Sequence, residues 1–252
     1  MRHRAGKRPN IIAVLLAALA FLCLPALFAF ADADTVPATK RSDTAYAKTK
    51  PVLEQALAAK GLTLGNPVYL RLTKQPAELT AYVADAKGDF KAFRTWPVCS
   101  VSGSLGPKQK EGDMQAPEGF YVVKPAQMNP ASSFHLSFNL GYPNAFDRAH
   151  GRTGSFLMVH GSCASIGCFA MTDAGIEEIW TLMQAAYEKG QGAVNVHIFP
   201  FPMSAANLKA HEANEHAAFW QTLAPAWTQF DETARVPRVK VSGTSYQVLG
   251  AQ

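Results

Sequence analysis

The residues with the clearest capacity for chemistry lie in one stretch, His160-Gly161-Ser162-Cys163-Ala164-Ser165-Ile166-Gly167-Cys168-Phe169-Ala170-Met171-Thr172-Asp173. An apolar run, Phe156 to Val159, precedes it and a helical pattern follows, so the stretch joins a strand to a helix. A histidine at a strand end, a glycine-rich turn and a cysteine eight residues later can bring imidazole and thiol within hydrogen-bond reach. A free thiol has a pKa of about 8.5 and is mostly protonated at neutral pH, so a neighbouring imidazole would both stabilise the thiolate and carry its proton. Gly167 would let the main chain approach a substrate carbonyl, and backbone N–H groups around Cys168 could hold a developing oxyanion. That chemistry is nucleophilic acyl transfer. The plainer reading of the same spacing is a buried cysteine beside a satisfied histidine in a tight turn.

Other candidate sites are weaker. His211-Glu212-Ala213-Asn214-Glu215-His216 has its histidines five apart, about 140° around a helix, where a zinc-protease helix needs four. It reads as a solvated helix face. His160, Cys163, Cys168 and Cys99 are zinc-ligand types, but the paired CxxC spacing of structural zinc sites is missing, so no metal is expected. Gly106-Pro107-Lys108-Gln109-Lys110-Glu111-Gly112-Asp113 lacks the GxxxxGK[ST] pattern of a phosphate loop, and no nucleotide or other cofactor is expected. His135, His150 and His197 are alternative bases; His135 and His197 fall on polar strand positions and are expected to be exposed or hydrogen-bonded. Arg148, just before the 156–159 run, suits a substrate carboxylate, or else pairs structurally with Asp147 or Asp113.

Strands dominate the elements that must position these groups. Val68, Leu70 and Leu72 alternate with Tyr69 and Arg71; Leu79 to Val83 and Phe90 to Val98 follow as a hairpin around Lys87-Gly88-Asp89. Phe134, Leu136, Phe138 and Leu140 alternate with His135, Ser137 and Asn139, the cleanest two-residue period in the chain. Val194, Val196 and Ile198 read as a buried strand. Between them lies the strongest helix, capped by Thr172 or Asp173, with Ile176, Ile179, Trp180 and Met183 on one stripe and Gly190 as its stop. Residues 51–60 predict a short helix with Pro51 in its first turn, 205–223 a second helix, and 236–248 a short strand. The fold class is β-rich α+β.

The chain has 252 residues, 48% hydrophobic and 17% charged, which is too apolar for a disordered polymer. Its net charge of +5 invites a nucleic-acid reading, but Arg2, Arg4, Lys7 and Arg8 supply most of it. Beyond residue 31 there are 20 basic against 19 acidic side chains, and no nucleic-acid partner is expected. The basic start, the apolar run Ile11 to Phe30 and the small-residue pattern at Ala29-Phe30-Ala31 or Ala31-Asp32-Ala33 make residues 1–31 an export signal, or an uncleaved anchor and the sole membrane contact. Residues 32–50 read as a polar linker.

The paired elements His160-Gly161 and Ser165-Ile166-Gly167-Cys168 resemble the signature of the YkuD-type L,D-transpeptidases. The compact Cys-Ala-Ser-Ile-Gly-Cys-Phe-Ala-Met-Thr-Asp form resembles the YafK-like murein subgroup. Ser102 to Lys108, Glu111-Gly112-Asp113, Ala116 to Tyr121 and Asn139 to Arg148 also look like family blocks. The resemblance covers roughly residues 50–202, giving a catalytic domain over 51–202 and a C-terminal extension, helix and short strand, over 203–252. It implies a mixed β-sheet sandwich with a helix after the cysteine loop, Cys168 as nucleophile, His160 as general base and Gly167 as the residue before the nucleophile. Arg148, Asn144, Ser165 and Gly161 are expected on the substrate side. Two departures stand out. Ile166 occupies a position where most of the family has His, and Phe169-Ala170 follow the cysteine where the family has Arg.

What the resemblance implies is acyl transfer on diaminopimelate-type peptidoglycan stem peptides in the periplasm. The alternatives are an amidase that trims stem peptides or releases a wall-linked protein, and a non-catalytic wall-binding module. With Cys23 in the signal and Cys168 as nucleophile, Cys99 and Cys163 form an even remainder in an oxidising compartment, and a Cys99–Cys163 disulfide is expected. Two buried free thiols, or a Cys163–Cys168 bond, are the alternatives.

Overall fold

The computed structural model describes residues 35–251, so the expected signal over 1–31 lies outside the described residues. The first element, α1 (Lys40–Ala58), is closed at its start by a reciprocal cap between Thr39 and Ser42. Residues 40–50 are therefore helix, not linker, and Pro51 lies inside the helix rather than at its start. The reason is the buried stripe Ser42, Ala45, Thr49, Leu53 and Leu57, spaced three to four apart but small and polar in its first half. Small side chains let α1 pack closely on α3 (Asp173–Glu188), where Thr49 and Thr181 hydroxyls meet.

Two five-stranded sheets form the body. The first runs β3 (Phe90–Pro97), β2 (Ala77–Ala84), β1 (Val68–Lys74), β10 (Val194–Phe199), β5 (Gly119–Val123), with β1 and β10 parallel and the other pairs antiparallel. The second runs β4 (Ser100–Val101), β9 (Phe169–Ala170), β8 (Met158–His160), β7 (Ser137–Asn139), β6 (Met128–Asn129), with β8 and β9 parallel. α3 touches β1 of one sheet and β8 of the other, and Ile176, Ile179, Trp180 and Met183 are all fully buried in the shared core. The resulting class is α+β, rich in strands, with a helix following the cysteine loop.

The strand β1 is buried on both faces because its first sheet is covered twice. Leu70 and Leu72 face the core shared with α3, whereas Tyr69 meets Phe230 of α5 (Ala217–Thr233) and the Arg71 guanidinium stacks on Trp227, 3.7 Å from the ring centre. The expected 205–223 helix is two, α4 (Ala205–Ala210) and α5, broken by turns at 211–216. His211 there stacks on Phe201 and bonds the Asn207 carbonyl, so the segment has no helix face at all. The expected single strand at the tail is a hairpin, β11 (Pro237–Ser242) and β12 (Ser245–Ala251), whose Tyr246 stacks on Phe146.

The clean alternation over 134–140 yields only three residues of ladder. His135 adopts φ of 66°, and Arg41 of α1 donates to the carbonyls of both Ser132 and His135 at 2.7 Å. A side chain thus satisfies backbone groups that a strand would have paired. Phe134 is left exposed and Ser137, on the nominally polar face, is fully buried.

His197 is buried on the α5 side of β10, where Tyr69 Oη donates to its Nδ1 at 3.1 Å. Burial, helped by the Arg71 charge, pushes its pKa down to about 3. An unfolded histidine titrates near about 6.5, so the unfolded chain takes up this proton first as pH falls. Stability should be intact above about pH 6.5 and decline progressively toward about 3. His197→Asn, which keeps an acceptor for Tyr69, should lose stability at pH 7 but show a shallower decline between pH 6.5 and 4.5, by up to about 1.4 kcal/mol per pH unit. Urea unfolding across that range measures it; an unchanged slope would refute the assignment.

Candidate active site

β8 and β9 are parallel, with Val159 opposite Phe169 and His160 opposite Ala170. Extending that register one residue sets Cys168 beside Met158, whose N–H donates to the Cys168 Sγ at 3.4 Å. Side chains alternate across a strand, so Val159 and Phe169 point into the core and are fully buried. His160 and Cys168 share the other face. Both line a cavity of about 550 Å³.

The His160 ring is buried beneath Phe134, with ring centres 4.7 Å apart. Its Nδ1 lies 2.7 Å from the Gly161 carbonyl, which can only accept, so Nδ1 carries the proton and Nε2 the lone pair in the neutral ring. Burial lowers the imidazole pKa, only partly offset by that carbonyl. Burial likewise raises the Cys168 thiol, against the Met158 N–H and the Lys108 charge. The resting pair is therefore neutral thiol and neutral imidazole. Among the described residues no hydrogen bond joins them; the thiol donates weakly to the Phe156 carbonyl at 3.8 Å.

The loop between the two strands is held from several sides. Gly161 N–H is shared between the Phe134 and Leu136 carbonyls at 3.0 and 3.1 Å, and a Cβ at Gly161 would fall 2.6 Å from Asp173 Oδ1. That same oxygen accepts from Ser162 N–H. Ser162 and Cys163 both have left-handed φ, at 69° and 50°, and Gly167 has φ of 130°. Cys163 is bonded to Cys99, with Cα atoms 5.1 Å apart, tying the loop to the end of β3; Cys168 is the free thiol among the described residues.

The four residues expected on the substrate side do not line this cavity. Ser165 Oγ accepts from the N–H groups of Gly167 and Cys168 at 3.3 and 3.0 Å and donates to the Cys168 carbonyl, closing the turn. Gly161 serves the close approach to Asp173. Asn144 caps α2 (Ala145–Ala149), bonding Asp147 N–H, the Phe120 carbonyl and the Tyr246 hydroxyl. Arg148 is exposed, bonded to the Pro143 carbonyl, and faces a separate cavity of about 360 Å³ beside β11 and Tyr246. The buried partner of Asp147 is Arg152, at 2.8 Å, because one helical residue separates Arg148 from the buried face of α2.

Lys108, Met114, Phe134, Phe156 and Ile166 form much of the cavity instead, and the last four are exposed at its mouth. Ile166 stands at one of the positions where the sequence departs from the pattern it resembles. The wall at 132–134 is braced from α1, by Arg41 and by the relay Lys48–Glu177–His135, with contacts of 2.8 and 2.9 Å. Met114, a large apolar residue in a polar loop, was the sequence signal for this mouth; Phe156, expected in a buried strand, instead lies before β8 with φ of 54° and is exposed.

Residues 73–198 match the L,D-transpeptidase catalytic domain family, YkuD. Proteins named "Putative L,D-transpeptidase YafK" from Escherichia coli strains K12 and O157:H7 are 42% identical over 185 residues, covering 73% of this chain and 75% of theirs. Among solved structures, the helical cell shape determining protein Pgp2 of Campylobacter jejuni is similar with a TM-score of 0.42 and 17% identity, covering 76% of this chain and 80% of that one. Bd1075 of Bdellovibrio bacteriovorus gives a TM-score of 0.40 and 14% identity over 74% and 92%.

The Cys99–Cys163 bond closes an interval of 64 residues, worth about 4 kcal/mol in the chain-entropy picture. The double variant Cys99→Ala, Cys163→Ala should lose a stabilisation of that order in urea unfolding. Wild type should show the same loss under reductant while the double variant does not respond. Equal stability with and without reductant in the wild type would show that the bond does not hold the loop.

Proposed function

Since this chain belongs to the YkuD family of L,D-transpeptidase catalytic domains, we propose that it transfers an acyl group of a peptidoglycan stem peptide through a thioester at Cys168. The observation that carries the reading is the single cavity lined by both a free thiol and a buried imidazole whose unprotonated nitrogen is Nε2. His160 Nε2 takes the thiol proton as the sulfur attacks the amide carbonyl carbon. The oxyanion that develops displaces Ser165 Oγ from the N–H groups of Gly167 and Cys168. The C–N bond then breaks, His160 returns the proton to the leaving amine, and the thioester remains. A side-chain amine of a second stem peptide resolves it to a crosslink; water in its place gives hydrolysis, of a stem peptide or of a wall-linked protein. The substrate implies an exported protein acting in the periplasm, which accords with the signal-like residues 1–31.

Cys168→Ala should abolish turnover, and His160→Gln should slow acylation by about 100-fold or more. Intact mass after exposure to a carbapenem should show an adduct on the wild type and none on Cys168→Ala. Muropeptide masses then separate the outcomes, since a crosslink joins two peptides and hydrolysis adds one water. The active state has one proton shared between thiol and imidazole, so kcat/KM should rise with pH through the His160 pKa, below the usual imidazole range, and fall through the Cys168 pKa, above the usual thiol range. An adduct on Cys168→Ala, or full activity in that variant, would move the nucleophile elsewhere.

A further inference from the structure

The titratable groups lining the cysteine cavity are Lys108, Glu111, His160 and Cys168, so Lys108 is its one permanent cation among the described residues. Lysine seldom lies so deep, with only 4% of its side chain exposed. Its ammonium is fixed by two acceptors, the Lys110 carbonyl at 2.9 Å and Asp113 Oδ1. Its stem passes Gly154, where a Cβ would fall 2.6 Å from Lys108 Cε. Two residues beyond Gly154 is Phe156, whose carbonyl is the acceptor of the Cys168 thiol. The loop itself is pinned, with Tyr142 Oη donating to the Lys108 carbonyl at 3.1 Å and Thr153 N–H to the Gln109 carbonyl at 3.1 Å.

Asp113 completes the arrangement. Burial works against its charge, but Lys108 and the N–H groups of Lys110, Gln109 and Gln115 outweigh it and hold its carboxyl down at about 2. Asp113 is thus ionised wherever a thiol titrates. It fixes the ammonium in place and offsets part of the ammonium's field. Phe169 and Ala170, directly after the cysteine, are fully buried and carry no charge, so they supply nothing comparable.

We propose that Lys108 supplies the positive charge that stabilises the Cys168 thiolate, and that Asp113 holds and tempers that charge. The proposal rests on Cys168 being the reacting thiol, as in the function argued above. A cation at fixed distance in a partly desolvated cavity favours an anion on sulfur more than the same cation would in water. Glu111 lines the same cavity with the opposite sign, and neutral His160 adds no charge. Two distinct roles for Lys108 can be separated. If it only braces the loop, removing either Lys108 or Asp113 disturbs the thiol in the same sense. If it acts through its field, the two removals act in opposite senses.

The experiment is alkylation of the full-length protein by iodoacetamide, which consumes the thiolate with loss of iodide and needs no stem peptide. Peptide mass mapping follows Cys168 separately from Cys23, from pH 6 to 10. Lys108→Met should raise the apparent pKa of Cys168 and slow alkylation at pH 7 by about threefold or more, the sense expected when an opposite charge is removed from beside an ionisable group. Asp113→Asn should lower the pKa and speed alkylation, and Lys108→Arg should stay within about twofold of wild type. Thermal unfolding and the intact Cys99–Cys163 bond confirm that each variant is folded. Shifts of the same sign in Lys108→Met and Asp113→Asn, or no shift in either, would overturn the proposal. Opposite shifts alongside unconverted muropeptides would uphold it while removing the acyl-transfer reading.

Discussion

A parallel pair of adjacent strands joined by only eight residues is the constraint on which this molecule depends. β8 ends at His160 and β9 begins at Phe169. Parallel neighbours ordinarily need a crossover of a dozen residues or more, commonly a helix. Here the chain must rise, turn and come back in the same direction within residues 161–168, and the unusual features of the loop follow from that. Two non-glycine residues and Gly167 take positive φ, Asp173 catches Ser162, Ser165 closes the last turn, and the disulfide to Cys99 secures the apex. The reward is register. A parallel return sets Cys168 beside Met158, one alternation from His160, and so puts thiol and imidazole on one face without any further device.

The rest of the fold braces the cavity wall around that loop. Lys74 and Glu118 form a buried ion pair at 3.1 Å, a pair that would cost more than it returned unless its remaining donors and acceptors were satisfied. They are satisfied. Lys74 also donates to the Gly106 and Ala116 carbonyls, and Glu118 accepts from Gly106 N–H and from Trp220 Nε1. One network thus joins the end of β1, the start of the 106–113 loop and α5. Gly106 stands two residues before Lys108. The C-terminal extension, which lies beyond the span matched by the family, therefore bears on the cavity wall through Trp220, as α1 does through Arg41.

The parts of this architecture that were legible in the sequence are those governed by period. Val68 to Leu72 and Val194 to Ile198 alternate because their aliphatic face meets the core shared with α3 while Tyr69, Arg71 and His197 lie on the face toward α5, and α3 announced itself through Thr172, its apolar stripe and Gly190. The strand, glycine-rich turn and cysteine eight residues on pointed to His160 and Cys168 sharing one site, as the shared cavity has them, while their roles came from the resemblance alone. What stayed hidden was held by single long-range contacts. α1 buries Ser42, Ala45 and Thr49, which no hydrophobicity scale marks as a core face. Residues 134–136 have a strand's pattern, yet the Arg41 guanidinium claims the His135 carbonyl and the Gly161 N–H those of Phe134 and Leu136. The cavity wall comes from loops near 108, 114, 134 and 156, distant in sequence and lacking any shared period. Arg148 looked suited to a substrate because its neighbours in sequence did, but one residue along a short helix turned it to another surface.

The neutrality of the resting site follows from its surroundings and bears on how the loop survives. Cys168 is a free thiol five residues from a disulfide sulfur at Cys163. Thiol–disulfide exchange proceeds by attack of a thiolate, so a protonated Cys168 is a poor reactant toward the bond in its own loop. The four exposed apolar residues at the mouth, Met114, Phe134, Phe156 and Ile166, and the burial of the sulfur oppose that ionisation at rest. An apolar mouth is costly to leave in water, at about 25 cal/mol per Å², and recovers that cost when a substrate covers it. Covering the mouth also excludes water, which strengthens every charge interaction inside. The apolar groups that oppose a thiolate at rest are thus the same ones that strengthen the fixed charges around it when the mouth is covered. A thiol held protonated until the moment of attack, as the proposed mechanism has it, spares the disulfide in its own loop.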